Sequence, residues 1–314
     1  MIKNYLLIFC LVCSSLLADK PHLILYFDVN KTLIATDKAS GKSLENVLNE
    51  LLASHFQYDW TGKIGKAITY EDYILHIALP GQANDMTLKK ERIKKLDTFL
   101  QFLKETNHPL YCEANAMYKT LFCKLYESKS PVFPSFYKLL GMLDGEGYCY
   151  TLILRSYGEE VYDIAKEINK HYRPLFKGEG HFKKGHLFIQ NKELNHPQEI
   201  YQFFKHSPSL AIRDDWNYWS FGKLATLYAK PFLVDSSDKS TLSLFFDDNI
   251  NQNEEQNIIS PIDVQTGKKL SIQSLINKYQ AVPVNTMEAI LNDNYYIQLV
   301  NKAIETHAKT FCLQ

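Results

Sequence analysis

Two kinds of hydrophobic pattern alternate along the chain. Leu23-Ile-Leu-Tyr-Phe27, Tyr150-Thr-Leu-Ile-Leu-Arg155, Ser209-Leu-Ala-Ile-Arg213 and Leu242-Ser-Leu-Phe-Phe246 are short apolar runs of strand length. They lack strict apolar–polar alternation, which predicts strands covered on both faces, as in parallel sheets. Between them lie stretches of helical period. Behind a Ser43 N-cap, apolar residues recur at 44, 47, 48, 51 and 52. Thr87 to Thr106 sets Leu88, Ile93, Leu96, Phe99, Leu100 and Leu103 opposite a Lys/Glu-rich solvated face, and Ala114 to Tyr126 reads as a third helix. Pro134 to Leu143 opens with Pro and Ser and stops at Asp144-Gly-Glu-Gly, and Glu159 to His171 is a further helix.

Strands alternating with helices predict an α/β fold with a doubly wound, Rossmann-like parallel sheet. Its core is read over residues 19–39 and 131–251, with a helical insertion over 40–130. Residues 252–314 are read as an extension packed at the edge of the core, with a Gln265-Thr-Gly-Lys turn and one or two helices over Thr286 to Phe311. His181 and His186 flank Phe-Lys-Lys-Gly, a turn between strands rather than a metal site.

The first 18 residues break the pattern. They hold one base, Lys3, no acid, and an apolar run from Tyr5 to Leu17, which reads as a secretory signal peptide ending at Ala18. The run is too short to span a bilayer. Export to the periplasm, a secretory lumen or the exterior is therefore expected, or a cytoplasmic location if the leader does not function. Cys10 and Cys13 have C-x-x-C spacing but lie inside this run, which argues against redox chemistry. Without the leader Cys112, Cys123, Cys149 and Cys312 remain, a number that suits one or two disulfides or four buried thiols.

Composition changes the picture in one respect. Across 314 residues, 35 Lys+Arg balance 35 Asp+Glu, and 46% of positions are hydrophobic. That excludes a broad electrostatic grip on nucleic acid. Function is then expected in a local charged site.

Three of the apolar runs end in acids: Asp28, the pair Asp214-Asp215, and the pair Asp247-Asp248. In open parallel sheets ligands bind beyond the carboxyl ends of the strands, so these acids are placed to converge. Asp28 is suited to act as a nucleophile that forms an acyl-phosphate, and clustered carboxylates call for a cation such as Mg²⁺. Each acid alone is equally readable as a turn residue.

Taken together, Asp28-Val-Asn30-Lys-Thr32, the strand Thr151-Leu-Ile-Leu-Arg-Ser156 and Phe245-Phe-Asp247-Asp248 resemble the motifs of the haloacid dehalogenase-like (HAD) superfamily, in order and in strand context. The resemblance spans residues 22–250, with the helical insertion where many members carry a cap. It implies Asp28 as nucleophile and Mg²⁺ ligand, the Asn30 backbone carbonyl as a second ligand, and Asp247 and Asp248 completing the metal site. It implies Ser156 as a phosphoryl ligand, a role compatible with a helix N-cap, and Thr32 beside the substrate. The family's lysine is Lys230, in Ala-Lys-Pro, in preference to Lys223. Arg155 is read as pairing with a second phosphate or carboxylate, or as a structural ion pair. Arg213-Asp-Asp-Trp-Asn-Tyr-Trp219 is read as a structural aromatic loop or a ligand wall.

One departure stands out: Asn30 occupies the place of the family's acid/base Asp. An amide cannot shuttle a proton, a contribution worth about 10²–10⁴-fold in rate, and Asp37 is one substitute. The expected function is a Mg²⁺-dependent phosphohydrolase or phosphotransferase acting on a small phosphorylated molecule. The alternative is a weak or inactive member used for binding, and chemistry on carbon–halogen or carbon–phosphorus bonds is a third reading.

Overall fold

Each of the four apolar runs is a buried strand in the computed structural model, which describes residues 20–36, 41–62, 65–81 and 85–312. The expected leader, with Cys10 and Cys13, lies outside these residues, as do Asp37 and the side chain of Cys312. The main strands are β1 (His22–Asp28), β2 (Tyr150–Ser156), β3 (Phe176–Lys183), β4 (His186–Ile189) and β5 (Lys192–Leu194). They continue with β6 (Ser209–Arg213), β7 (Lys230–Val234), β8 (Thr241–Asp247), β9 (Ile259–Asp263) and β10 (Ala281–Pro283).

The fold is α/β with a mostly parallel central sheet of eight strands, in the order β10-β8-β1-β2-β6-β3-β4-β5. The strands from β10 to β3 run parallel, and β4 and β5 add an antiparallel edge. The turn between β3 and β4 is the one expected between His181 and His186. Lys184 and Gly185 both have positive φ, 52° and 85°, as a two-residue hairpin turn matched to strand twist requires. Strands β7 and β9 pair in a separate two-stranded parallel sheet.

Side chains alternate across the central sheet, and both faces are covered. Leu23, Leu25 and Phe27 of β1 face one core, which includes Phe136, Leu140, Ile168 and Tyr296 from flanking helices. Ile24 and Tyr26 face the other, with Tyr201, Phe204, Phe232 and Ile259.

Between β1 and β2 the chain is mainly helical: Leu44–His55, Met86–Asp97, Phe99–Glu105 and Tyr111–Glu127, with a two-residue strand pair at Gln57–Tyr58 and Ile68–Thr69. Ser43 caps the first of these helices, accepting from the Asn46 backbone N–H. The single helix expected over 87–106 is two, broken at Thr98, where the backbone leaves helical geometry and the Asn49 side chain accepts from the Leu100 N–H. Leu48, Leu52, Phe99 and Leu121 join the same core as Phe27, so this segment packs directly on the sheet's helical layer.

The residues after 252, expected to pack at the edge of the core, extend further: Tyr296 lies against Phe27 and Phe246 of the central sheet. They supply β9 and the edge strand β10, then the helices Ile272–Asn277, Thr286–Leu291 and Tyr295–Cys312. Cys112, Cys123 and Cys149 are free and exposed, which corrects the expectation of disulfides or buried thiols for these three.

Phe27 stacks on Phe246 at 4.4 Å and meets Phe136 and Tyr296 edge-on. Phe27→Ala should therefore cost about 3–5 kcal/mol in a denaturant unfolding titration. Phe221→Ala, at an 85% exposed position, should change stability by less than about 0.5 kcal/mol.

Candidate functional site

The parallel register builds the site. Phe27 lies beside Phe246, so the next residues along, Asp28 and Asp247, end adjacent strands side by side. Asp248 follows in the loop, and oxygens of Asp28, Asp247 and Asp248 all lie within 4.8 Å of one another. Asp28 and Asp247 are buried, the latter fully.

Carboxylates this close need compensation. Lys230, the first residue of β7, supplies it: its Nζ donates to Asp28 Oδ1 at 2.5 Å and to Asp247 Oδ2 at 2.8 Å. The alternative, Lys223, is exposed on a left-handed backbone turn and does not join the cluster. Lys31 pairs with Asp248 at 3.1 Å.

Burial raises the Asp28 pKa well above the usual carboxylate range, against the pull of Lys230, and repulsion from Asp247 and Asp248 adds to the rise. Burial also pushes Asp248 up to about 6, opposed by Lys31 and reinforced by Asp247. For Lys230, burial works to lower the pKa, but Asp247, Asp28 and Asp214 overcome it and hold the ammonium above its ordinary value. Three carboxylates around two ammonium groups form a set of hard oxygen donors that fits a divalent cation.

Thr32 is fully buried, and its Oγ1 accepts from the Asp248 N–H at 3.1 Å. Its carbonyl accepts from the Tyr296 hydroxyl. Thr32, expected beside the substrate, ties the loop after β1 to the loop after β8. Lys31, at φ 56°, is pinned in the same turn by Thr286 Oγ1 donating to its carbonyl.

Of the two readings of Arg155, the structural ion pair is the one present. Its guanidinium is fully buried and forks onto Asp214, at 3.0 Å from Nε and 2.5 Å from Nη2, while Nη1 donates to the Pro231 carbonyl. It is a structural ion pair whose partner is one of the acids expected to converge with Asp28. Asp215 instead caps the helix Trp216–Phe221.

Ser156 ends β2 and stands close to Asn30, whose Nδ2 lies 3.5 Å from its Oγ. Both side chains are drawn to one further group. Asn30 Nδ2 donates to Glu160 Oε1 at 2.7 Å, and Ser156 Oγ donates to the same oxygen at 2.5 Å. Sequence reasoning missed Glu160 because an acid in the first turn of a helix reads as ordinary complement to the helix dipole. The available signal was its spacing, four residues after the strand-end Ser156.

Tyr157 continues outward from Ser156. Its ring lies 5.1 Å from Lys230 Nζ and stacks on Trp219, and its hydroxyl is buried without a partner. It forms the inner wall of a groove of about 720 Å³ also lined by Lys183, Lys184, Arg213, Trp216 and Phe221. Arg213 is held by Glu159 at 2.5 Å. The aromatic loop packs on itself and also lines this groove.

Among the described residues no helix is long and apolar enough to cross a membrane. Comparison with known proteins finds no matching family, no matching curated protein and no matching solved structure. The geometry alone carries the functional argument.

The raised carboxylates set a sign for pH dependence. A group whose pKa rises on folding favours the folded state below its unfolded value near 4, and that contribution is lost as pH climbs through the folded value. For Asp248 this window runs from about pH 4 to about pH 6, the folded value. The cost at neutral pH is roughly 2–3 kcal/mol. A cation bound by the acids relieves it. Thermal melting should show a larger stabilisation by millimolar Mg²⁺ at pH 7.5 than at pH 5, with Asp248→Asn reducing the difference.

Proposed function

We propose that the chain is a HAD-like, Mg²⁺-dependent phosphohydrolase or phosphotransferase acting on a small phosphorylated molecule, with residues 40–130 as its cap. The observation that carries this reading is the convergence of Asp28, Asp247, Asp248 and Lys230 at neighbouring strand ends, with Ser156 ending the next strand. A chance collection of turn acids would not share one buried ammonium across strands 202 residues apart in the chain.

In this reading Asp28 attacks phosphorus, the bond to the leaving oxygen breaks, and an acyl-phosphate forms on the carboxylate. Lys230 holds Asp28 oriented for the attack and opposes the effect of burial on its charge. The Lys230 ammonium is a donor for the phosphoryl oxygens, Ser156 Oγ would join it by turning its one hydrogen from Glu160 to the substrate, and Asp247 and Asp248 would hold the Mg²⁺. When bound, Mg²⁺ neutralises charge on the phosphoryl group as it moves between oxygens. The Tyr157 hydroxyl, buried and unpartnered beside Lys230, is a further donor on the side of the groove. The groove's exposed Trp216, with Lys183 and Lys184, suits the rest of an anionic substrate.

A second reading rests on Asn30: a site that recognises phosphate without turning it over. The two separate experimentally. With Mg²⁺, the wild type should release inorganic phosphate from a panel of small phosphomonoesters, and Asp28→Asn should lower that rate by at least about 10³-fold with its melting temperature retained. Phosphate binding without release from any ester in the panel would give the second reading precedence.

A further inference from the structure

Glu160 is a buried acid with no countercharge. It is 8% exposed, and among the described residues no Lys, Arg or His forms an ion pair with it. Its partners are Asn30 and Ser156, both at the mouth of the strand ends. A carboxylate serving structure alone would be expected to have a cation, because burying an unpaired charge is costly.

The packing around it is equally specific. A Cβ on Gly158 would lie 1.9 Å from Glu160 Oε2, so a side chain at residue 158 would displace this carboxylate from its present place. The Gly158 N–H donates to Ser156 Oγ at 3.2 Å, which aims that hydroxyl's own hydrogen at Glu160. On the other side Asn30 gives its amide hydrogen to Glu160, and among the described residues its buried carbonyl oxygen has no hydrogen-bond partner. A buried acceptor without a donor calls for an explanation.

We propose that Glu160 is the catalytic acid/base of this site, and that Asn30 is its positioning partner. This rests on the phosphoryl-transfer reading above. In the first half-reaction an Asp28 oxygen bonds to phosphorus, the ester bond breaks, and the leaving alkoxide takes the proton of the Glu160 carboxylic acid. In the second, the oxygen of water bonds to phosphorus, the bond from phosphorus to Asp28 breaks, and the water's proton passes to Glu160. Inorganic phosphate leaves, and both carboxyl groups return to their starting states.

Asn30 then has a physical reason. An Asp at position 30 would set a second carboxylate oxygen about where the amide nitrogen stands, 2.7 Å from Glu160 Oε1, and the two would repel. Carboxylates at 30 and 160 are alternatives.

The test uses para-nitrophenyl phosphate with Mg²⁺, whose leaving group needs no proton. Wild type should turn over continuously. Glu160→Gln should release about one nitrophenolate per chain and then slow by about 10²–10⁴-fold, with the phosphoryl adduct on Asp28 visible in the intact mass. Asn30→Asp combined with Glu160→Gln moves the carboxylate back across the hydrogen bond and should recover at least tenfold of the lost rate. Asn30→Asp alone should not exceed wild type. Should Glu160→Gln fail to fold, Glu160→Asp, which draws the carboxylate back by one methylene, should show the same burst and adduct in milder form.

Two results would overturn the assignment while leaving phosphoryl transfer standing. One is Glu160→Gln turning over at the wild-type rate. The other is a folded Glu160→Gln whose burst and steady rate fall together without adduct, as loss of a merely structural contact would give. A wild type that releases no nitrophenolate would instead remove the phosphoryl-transfer reading, and this assignment with it.

Discussion

The position of one ammonium group governs this structure. Two adjacent parallel strands end in Asp28 and Asp247, and their register leaves the carboxylates no choice but to lie side by side in a buried place. Lys230 reaches both. Its backbone N–H donates to the Ile258 carbonyl, where β7 pairs with β9. The small second sheet, built partly from the last sixty or so residues of the chain, therefore aims the cation at the ends of the first. Removing the Lys230 ammonium would leave buried carboxylates uncompensated, a loss of about 3–5 kcal/mol. The proposed chemistry and the stability of the core thus share a single interaction.

Alternation along the strands explains which neighbours each strand end receives. On β2, Ile153 lies in the core with Tyr26 and Phe245, and Arg155, two residues on, stays on that face over Tyr26, Phe182 and Phe245. It is drawn into the Asp214 ion pair beneath β7. Leu154 lies in the opposite core, and Ser156 follows it to the face where the helix Glu160–His171 begins. One residue of register thus separates a structural arginine from a hydroxyl in the site. Thr32 and Tyr296 act similarly from the other flank, fixing the turn after β1 against the C-terminal helix.

Much of this was legible in the sequence because burial on both faces leaves unbroken apolar runs, and the acids that end them are conspicuous. Asp28, Asp247 and Asp248 were found that way, and parallel register brought them together. The lysine needed a preference between Lys230 and Lys223, because a lysine's reach across space leaves no mark on periodicity. Arg155 was left open between ligand and ion pair, since its partner Asp214 lies 59 residues away in a strand whose neighbour the pattern does not specify. Glu160 was illegible for a different reason. An acid at a helix start is favourable anyway, so its function adds no signal to its sequence context. Only the missing cation and the two donors that converge on it set it apart.

Charge crowding gives these details a common cause. Asp28, Asp247 and Asp248 already place three negative groups within 4.8 Å, balanced by Lys230 and Lys31. An ionised acid at position 30, on the turn directly after Asp28, would add a fourth to the same turn with no third cation to meet it. Carried on the helix after β2, the carboxylate of Glu160 is reached through a neutral amide and a neutral hydroxyl. Both donate to its Oε1. The helix N-terminus adds a favourable field that position 30 does not have. Asn30 is then a consequence of where the acid sits.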